Sequence, residues 1–390
     1  VNRRDSVRIS AAIMHHPSRA RQIPGLVRSC APLNVQVVPD PDPGGIPSPL
    51  RTAKRAWAAD GPEATHHLVL QDDVRPCPGF ASLLEEAVRA RPHHAIALYV
   101  NWNSPENSYL LRRAVAAGSY WVPLSPVEYT PTLGLVLPAR HSRGLAKFLQ
   151  KLPDSLRDDD EMVTRYCRDH DIPVLAVIPN LLDHGHGSSL AGNEEHGARH
   201  AVIFAGEHPP KEGAWLRVHP LESGPADWRA RVRLRKFAVE LSESLCYLRL
   251  IRSEAGETVD HRFGWYWQDW CELIGLDARR IRDSWVRYAR EERRAVGDDF
   301  ALEVWAAAHL LGADAADLTK SPTSVDGADL LYGVLKSWVR SGISHRDAES
   351  RGPHGIADLI RVGMVGVSHG LSDRHRRAGV TLQGGAGVRI

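Results

Sequence analysis

Short apolar runs of strand length alternate with helix-length amphipathic segments through the first half of this chain, and that alternation limits the fold more than any other feature. Val7–Met14 (VRISAAIM) reads as a buried strand, followed by helix-like sequence over Ser18–Cys30. Val35–Val38 is a second strand, ended by a loop rich in Pro, Asp and Gly that runs to Gly45. Pro49–Ala59 reads as a helix and His67–Leu70 as a third strand; Phe80–Ala90 is an amphipathic helix and Ala95–Val100 a fourth strand. Thr132–Leu137 and Val174–Ile178 add two more strands, with helices near Ser142–Gln150 and Asp160–His170. Apolar strands joined by helical crossovers predict an α/β, Rossmann-like fold with a mostly parallel sheet covered on both faces. Ligands of such sheets bind beyond the carboxyl ends of the strands.

From about Trp228 the texture changes. Arg- and Trp-rich segments with helical spacing replace the strand-like runs, and Leu234–Ile251, Trp265–Ile274, Ala278–Arg294 and Ala301–Leu311 read as helices. The last forty residues are rich in Gly, Ser, His and Arg, which predicts poor order. The expected organisation is a sheet domain over 1–227, a mainly helical basic C-terminal region over 228–350 and a flexible tail over 351–390. A chain of 390 residues is long enough for such a division. No run approaches the roughly 18 apolar residues that a membrane-spanning helix needs, and the opening Val1–Asp5 lacks the apolar run of a secretory signal. Cys30, Cys77, Cys167, Cys246 and Cys271 are scattered without C-x-x-C spacing. That pattern argues against a structural zinc site or a disulfide framework, so no membrane and a cytoplasmic location are expected.

The third strand runs straight into Gln71-Asp72-Asp73, and Pro78-Gly79-Phe80 follows shortly after. A diphosphate leaving group is charged and strongly hydrated, and a hard divalent cation is the usual means of stabilising it. Carboxylates at the end of a buried strand suit Mg²⁺ or Mn²⁺, with Asp73 as the metal ligand and Asp72 on a ribose or sharing the ion. A strand-ending acidic turn that caps the next helix is the plainer alternative.

The stretch His66–Val74 with Pro78-Gly79-Phe80 resembles the metal-binding segment of GT-A glycosyltransferases. It is similar to the lipopolysaccharide-type family 25 enzymes and to glycosyltransferases encoded by actinobacterial phages. The resemblance covers roughly residues 7–205, about half the chain, and Gln71 departs from it, since many relatives carry an acidic residue there. It implies that Asp40, after the second strand, meets the base of a nucleotide-sugar donor such as a UDP-sugar. Arg51 and Lys54 sit where such enzymes approach the nucleotide, although an exposed basic helix face is the commoner reason for them. Downstream, Asp158-Asp159-Asp160-Glu161 precedes a helix, and Pro179-Asn180-Leu181-Leu182-Asp183-His184-Gly185-His186-Gly187-Ser188-Ser189 follows a strand. By the same resemblance Asp159 or Asp160 is the base that deprotonates an acceptor hydroxyl. His184, with His186 as the local alternative, completes the metal or diphosphate site. Ser188 and Ser189 donate to phosphate oxygens. The plainer readings are an acidic helix N-terminus favoured by the dipole and a polar loop containing histidine.

Net charge is only +2, yet Arg229, Arg231, Arg233, Arg235 and Lys236 crowd one short stretch, and seven arginines face three acidic residues between Arg279 and Arg294. Trp267–Asp277 leading into Ala278–Trp285 has the outline of a helix, a Gly-centred turn and a second, basic helix, as in a helix-turn-helix. A helical bundle with a solvated basic face accounts for it equally. Combined with the phage-like resemblance, the sharper expectation is a metal-dependent hexosyl- or pentosyltransferase that glycosylates a 5-hydroxymethylated pyrimidine in double-stranded phage DNA. The alternatives are transfer to a cell-envelope polysaccharide or a protein, and a non-catalytic nucleic-acid-binding protein with a degenerate transferase domain. A nucleotidyltransferase needs a Gly-rich basic signature after the first strand, which His15-His16-Pro17-Ser18-Arg19 does not supply.

Overall fold

The computed structural model describes residues 7–185, 198–225, 227–295, 297–318 and 326–373. Two units divide the chain: Val1–Arg235 with Arg252–Glu257 and Thr323–Trp338, and Lys236–Ile251 with Thr258–Pro322 and Val339–Ile390.

In the first unit the apolar runs become strands in the order β1 (Ile9–His15), α1 (Ile23–Ser29), β2 (Val35–Pro39), α2 (Pro49–Trp57), β3 (His66–Gln71), β4 (Val74–Pro76), α3 (Phe80–Ala90) and β5 (Ala95–Ala97). Then come α4 (Asn107–Ala116), β6 (Trp121–Pro123), β7 (Gly134–Pro138), α5 (Ala139–Gln150), α6 (Asp159–Asp169), β8 (Val174–Val177), β9 (Leu182–His184) and α7 (Trp228–Arg233). Seven strands form one sheet in the order β2-β1-β3-β7-β5-β8-β6. β1 is parallel to β2 and β3, and β5 to β8, whereas β7 runs against both neighbours and β6 against β8. Five strands therefore share one direction, and the α/β fold with a mostly parallel, mixed sheet is as the alternation predicts. Ile13, Leu68, Leu70, Ile96 and Leu135 to Leu137 are inaccessible, as strands covered on both faces require.

From β1 the chain steps to β2 on one side and returns past β1 to β3 on the other. The space beyond the carboxyl ends of β1 and β3 is thus a topological switch point, the standard ligand position in open α/β sheets. Outside this sheet β4 and β9 form a two-stranded antiparallel ladder, pairing Val74 with His184, Arg75 with Asp183 and Pro76 with Leu182.

The second unit departs from the sequence reading in three places. Leu234–Ile251, expected as a helix, instead forms a hairpin of β10 (Phe237–Ser242) and β11 (Leu245–Leu250), with Ser242 opposite Leu245. Its turn residues Glu243 and Ser244 have φ of 49° and 64°, the conformation of a two-residue hairpin turn usually given to Asn and Gly. The expected helix-turn-helix has only a single helical turn, α8 (Trp267–Trp270), and a 3₁₀ turn over Cys271–Ile274 before Gly275. Burial of Trp267 and Cys271 holds that turn in place, and it is too short to be the first helix of the motif. After it come α9 (Ala278–Glu291), α10 (Asp299–Ala315) and, beyond α11 (Asp326–Gly342), which belongs to the first unit up to Trp338, α12 (His345–Ser372).

The expected poor order from 351 onward fails over 351–372, which continue α12 through a kink at Gly352 and Pro353. Small residues explain it. A Cβ on Gly312 of α10 would lie 2.2 Å from the Val367 carbonyl oxygen, and one on Gly370 would lie 2.0 Å from that of His309. The glycines that read as disorder are what let α10 and α12 touch backbone to backbone.

Candidate functional site

β3 is buried from His66 to Leu70 and delivers Asp72 and Asp73 to the switch point. Asp72 is 5% exposed and bonded on both oxygens. Oδ2 accepts the His16 backbone N–H at 2.7 Å and lies 3.3 Å from His15 Nδ1, while Oδ1 accepts from Arg19 Nη1 at 2.8 Å. Asp72 therefore ties the turn after β1 to the end of β3. Arg19 Nη1 also lies 2.9 Å from Asp73 Oδ2.

Asp73 is placed differently. Its Oδ2 lies 3.4 Å from His184 Nε2, and its Oδ1 is buried with no hydrogen-bond partner. The β4–β9 ladder brings His184 there. His184 Nδ1 is 2.7 Å from the Gly185 carbonyl oxygen. A carbonyl only accepts, so Nδ1 carries the hydrogen and a neutral ring turns the bare Nε2 lone pair toward a carboxylate. Two such electron-rich groups repel unless a proton or a cation stands between them. The orphaned Oδ1 and an unprotonated Nε2 would together suit one divalent cation. Among the described residues no group of three or more His, Cys, Asp or Glu side chains is arranged for a metal. Asp73 and His184 would be the two protein ligands, with diphosphate oxygens and water supplying the rest, a common arrangement for Mg²⁺.

At the end of β2, Arg51 of α2 grips Asp40 with two parallel bonds, Nε to Oδ1 at 2.9 Å and Nη2 to Oδ2 at 3.1 Å. The same Nη2 donates to the Asp42 carbonyl at 2.6 Å. Lys54, expected near the nucleotide, instead donates to the Leu152 carbonyl at 2.7 Å and to Asp154 at 2.5 Å. One helical turn separates it from Arg51, and its stem lies against the chain after α5 rather than in the cleft.

The third wall is the N-terminus of α6. Asp159 is 4% exposed, and its Oδ2 is buried without a partner. Burial above all, with the neighbouring Asp160 charge, pushes its carboxyl up to about 7 although the Thr132 hydroxyl beside it counters part of the rise. Burial also lifts Asp160 to about 6, against the hydrogen bond that its Oδ1 accepts from the Glu161 N–H at 2.7 Å. Glu128 accepts the N–H groups of Glu106 and Asn107 at the start of α4 through one oxygen, leaves Oε1 unpartnered, and is lifted by burial to about 8.

These walls enclose one cavity of about 990 Å³. Asp40, Arg51, Asp72, Asp73, His184, Asp159 and Asp160 all line it, and Lys54 does not. Ser188 and Ser189, and the alternative His186, lie outside the described residues. Asn101 and Asn103 line it too, whereas Trp102 packs edge-on against His200 and donates to the Ala198 carbonyl. His15, His16, Arg19, Glu128, Tyr129 and Arg199 are lining residues that sequence reasoning missed. Position immediately after the first strand was the available signal for the first three. The expected basic cluster also partly turns inward, since Arg235 pairs with Glu106 and Ser125.

No protein-family model matches this sequence, and comparison with curated proteins gives no match. Among the described residues no helix is long and apolar enough to cross a membrane. All five cysteines are buried and free.

Proposed function

We propose that the first unit is a GT-A-type glycosyltransferase domain that moves a sugar from a nucleotide-sugar donor to a hydroxyl acceptor. The observation that carries this reading is the meeting of Asp73 and His184 in the cavity that also holds Asp159 and Asp160. A divalent cation held by Asp73 and His184 would neutralise the departing diphosphate. Arg19 sits across the two aspartates and offers guanidinium N–H groups to the same oxygens. Asp40, steadied by Arg51, faces the nucleoside. Asp159 or Asp160 takes the acceptor proton, and carboxyls lifted to about 7 and about 6 are matched to that work near neutral pH.

The test is incubation of the full chain with Mn²⁺ and a panel of nucleotide sugars, following free nucleoside diphosphate. Release that disappears in Asp73→Ala supports the reading. No release from any donor, with Asp73→Ala indistinguishable from the parent, refutes it and leaves the non-catalytic alternative.

A second reading concerns the second unit. α9 buries Ile281, Ser284, Trp285 and Ala289 and turns Arg279, Arg280, Arg282, Arg287 and Arg290 outward. This face favours contact with nucleic-acid phosphates, and the DNA-acceptor proposal rests on it. A gel shift with the full chain at low salt tests it, and the absence of any shift counts against DNA.

A further inference from the structure

We infer that the acceptor end of the cavity takes a hydroxyl compound carrying a protonated amine, such as an amino sugar or an aminocyclitol. This inference deepens the transferase reading and rests on it for which end holds the acceptor.

The lining carboxyls fall into two sets. Asp40, Asp72 and Asp73 are each paired with Arg51 or Arg19. Glu128, Asp158, Asp159, Asp160 and Glu161 line the same cavity, and no Lys, Arg or His side chain among the described residues forms an ion pair with any of them. Arg235, whose charge acts on Glu128, spends its bonds on Glu106 and Ser125. Deprotonating a hydroxyl needs one carboxylate, so most of this charge has another purpose. Capping uses part of it, since Glu128 accepts two N–H groups at the start of α4 and Asp160 accepts one at the start of α6, but burial acts against ionisation at Glu128, Asp159 and Asp160.

A second observation points to a ligand. Asp159 is more than nine-tenths buried, lines the cavity, and has an oxygen with no partner; Glu128 Oε1 is likewise unpartnered. Buried acceptors left empty are rare in folded proteins, and each calls for a water, an ion or a donor group. Neither a neutral hydroxyl nor an anion answers this surplus of carboxyls. An ammonium group does: it carries three N–H donors and no acceptor, and it meets carboxylates in a part of the cleft shielded from water. Asn101, Asn103 and Tyr129 line the same space and suit the hydroxyls of a polyol.

Calorimetry on the full chain with Mn²⁺ and UDP, comparing 2-deoxystreptamine with its di-N-acetylated form at pH 7.5, tests the inference. Acetylation removes the charge and keeps the ring and hydroxyls. The amine is expected to bind at least tenfold tighter, and the exposed-residue variant Asp158→Asn/Glu161→Gln is expected to cut that preference at least threefold. Equal or tighter binding of the acetylated form overturns the inference, as does an amine preference that the double variant leaves unchanged. Displacement of the amine by a short DNA duplex overturns it as well. Nucleotide-sugar breakdown is measured separately. Amine preference without breakdown upholds the charge reading while the transferase reading fails. Breakdown with transfer only to neutral acceptors does the reverse.

Discussion

Replacing Asp159 by asparagine removes a carboxyl that the folded chain holds in a dry place and the unfolded chain leaves in water. Folding lifts this group from its ordinary 3.8 to about 7, chiefly by burial. Between those values the folded state binds the proton more tightly than the unfolded state does, so stability falls as pH rises through that window. At about 1.4 kcal/mol per pH unit, the penalty is about 4 kcal/mol at pH 8 and about 2 kcal/mol at pH 5. Asparagine keeps the shape and never ionises, so Asp159→Asn is expected to be the more stable protein, with the larger gain at pH 8. For a body of this size about 2 °C accompanies each kcal/mol. Thermal melts followed by circular dichroism should therefore show the midpoint rising by roughly 8 °C at pH 8 and roughly half that at pH 5. Sugar transfer should meanwhile fall by about 10²–10⁴-fold if Asp159 is the base. An equal gain at both pH values, or a loss at pH 8, refutes the argument that burial sets this carboxyl's proton affinity.

Three further outcomes follow from the same geometry. Transfer by the parent chain should rise with pH between about 6 and about 7, as Asp159 and Asp160 give up their protons as a coupled pair, read from initial rates across a buffer series. His184→Ala should raise the Mn²⁺ concentration needed for half-maximal donor breakdown by about 10–100-fold, measured by metal titration after chelation, and an unchanged titration removes His184 from the metal site. Gly185→Ala puts a Cβ 2.8 Å from the Asp73 carbonyl oxygen; it should cut transfer about tenfold by pushing His184 off Asp73, with a melt shifted by only about 2–4 °C.

The elements that the sequence announces are those whose burial pattern is written locally. β1, β3 and β7 are runs of apolar residues, and Asp72-Asp73 stands at the end of one of them. β4 and β9 are three residues each, too short for any period to register, so the ladder that delivers His184 is invisible before folding. The β10–β11 hairpin is missed for a different reason. FAVELSESLCYLRL carries apolar residues at helical as well as strand spacing, and its turn uses Glu243 and Ser244 in a left-handed conformation that Asn or Gly would have advertised. Tertiary contacts hold that turn, through the Ser244 N–H to the Gly342 carbonyl and the Ser344 N–H to Ser244 Oγ. Within the cleft, Asp40, Asp73 and Asp159 are legible because each follows a strand or starts a helix, whereas His184 rests on the resemblance alone. Glu128 and Arg199 are not legible, because irregular loops carry them. Lys54 misleads because one helical turn decides which way a side chain leaves α2.

Opposite positions in the β4–β9 ladder join Val74 to His184 across about 110 intervening residues. Asp73 and His184 are consequently aligned by main-chain pairing and not by the length of what lies between. Loops in that interval can grow or shrink without disturbing the pair. A single inserted residue inside either short strand would turn the imidazole to the other side of the ribbon, so the chemistry of the cleft tolerates large changes far away and almost none in six residues.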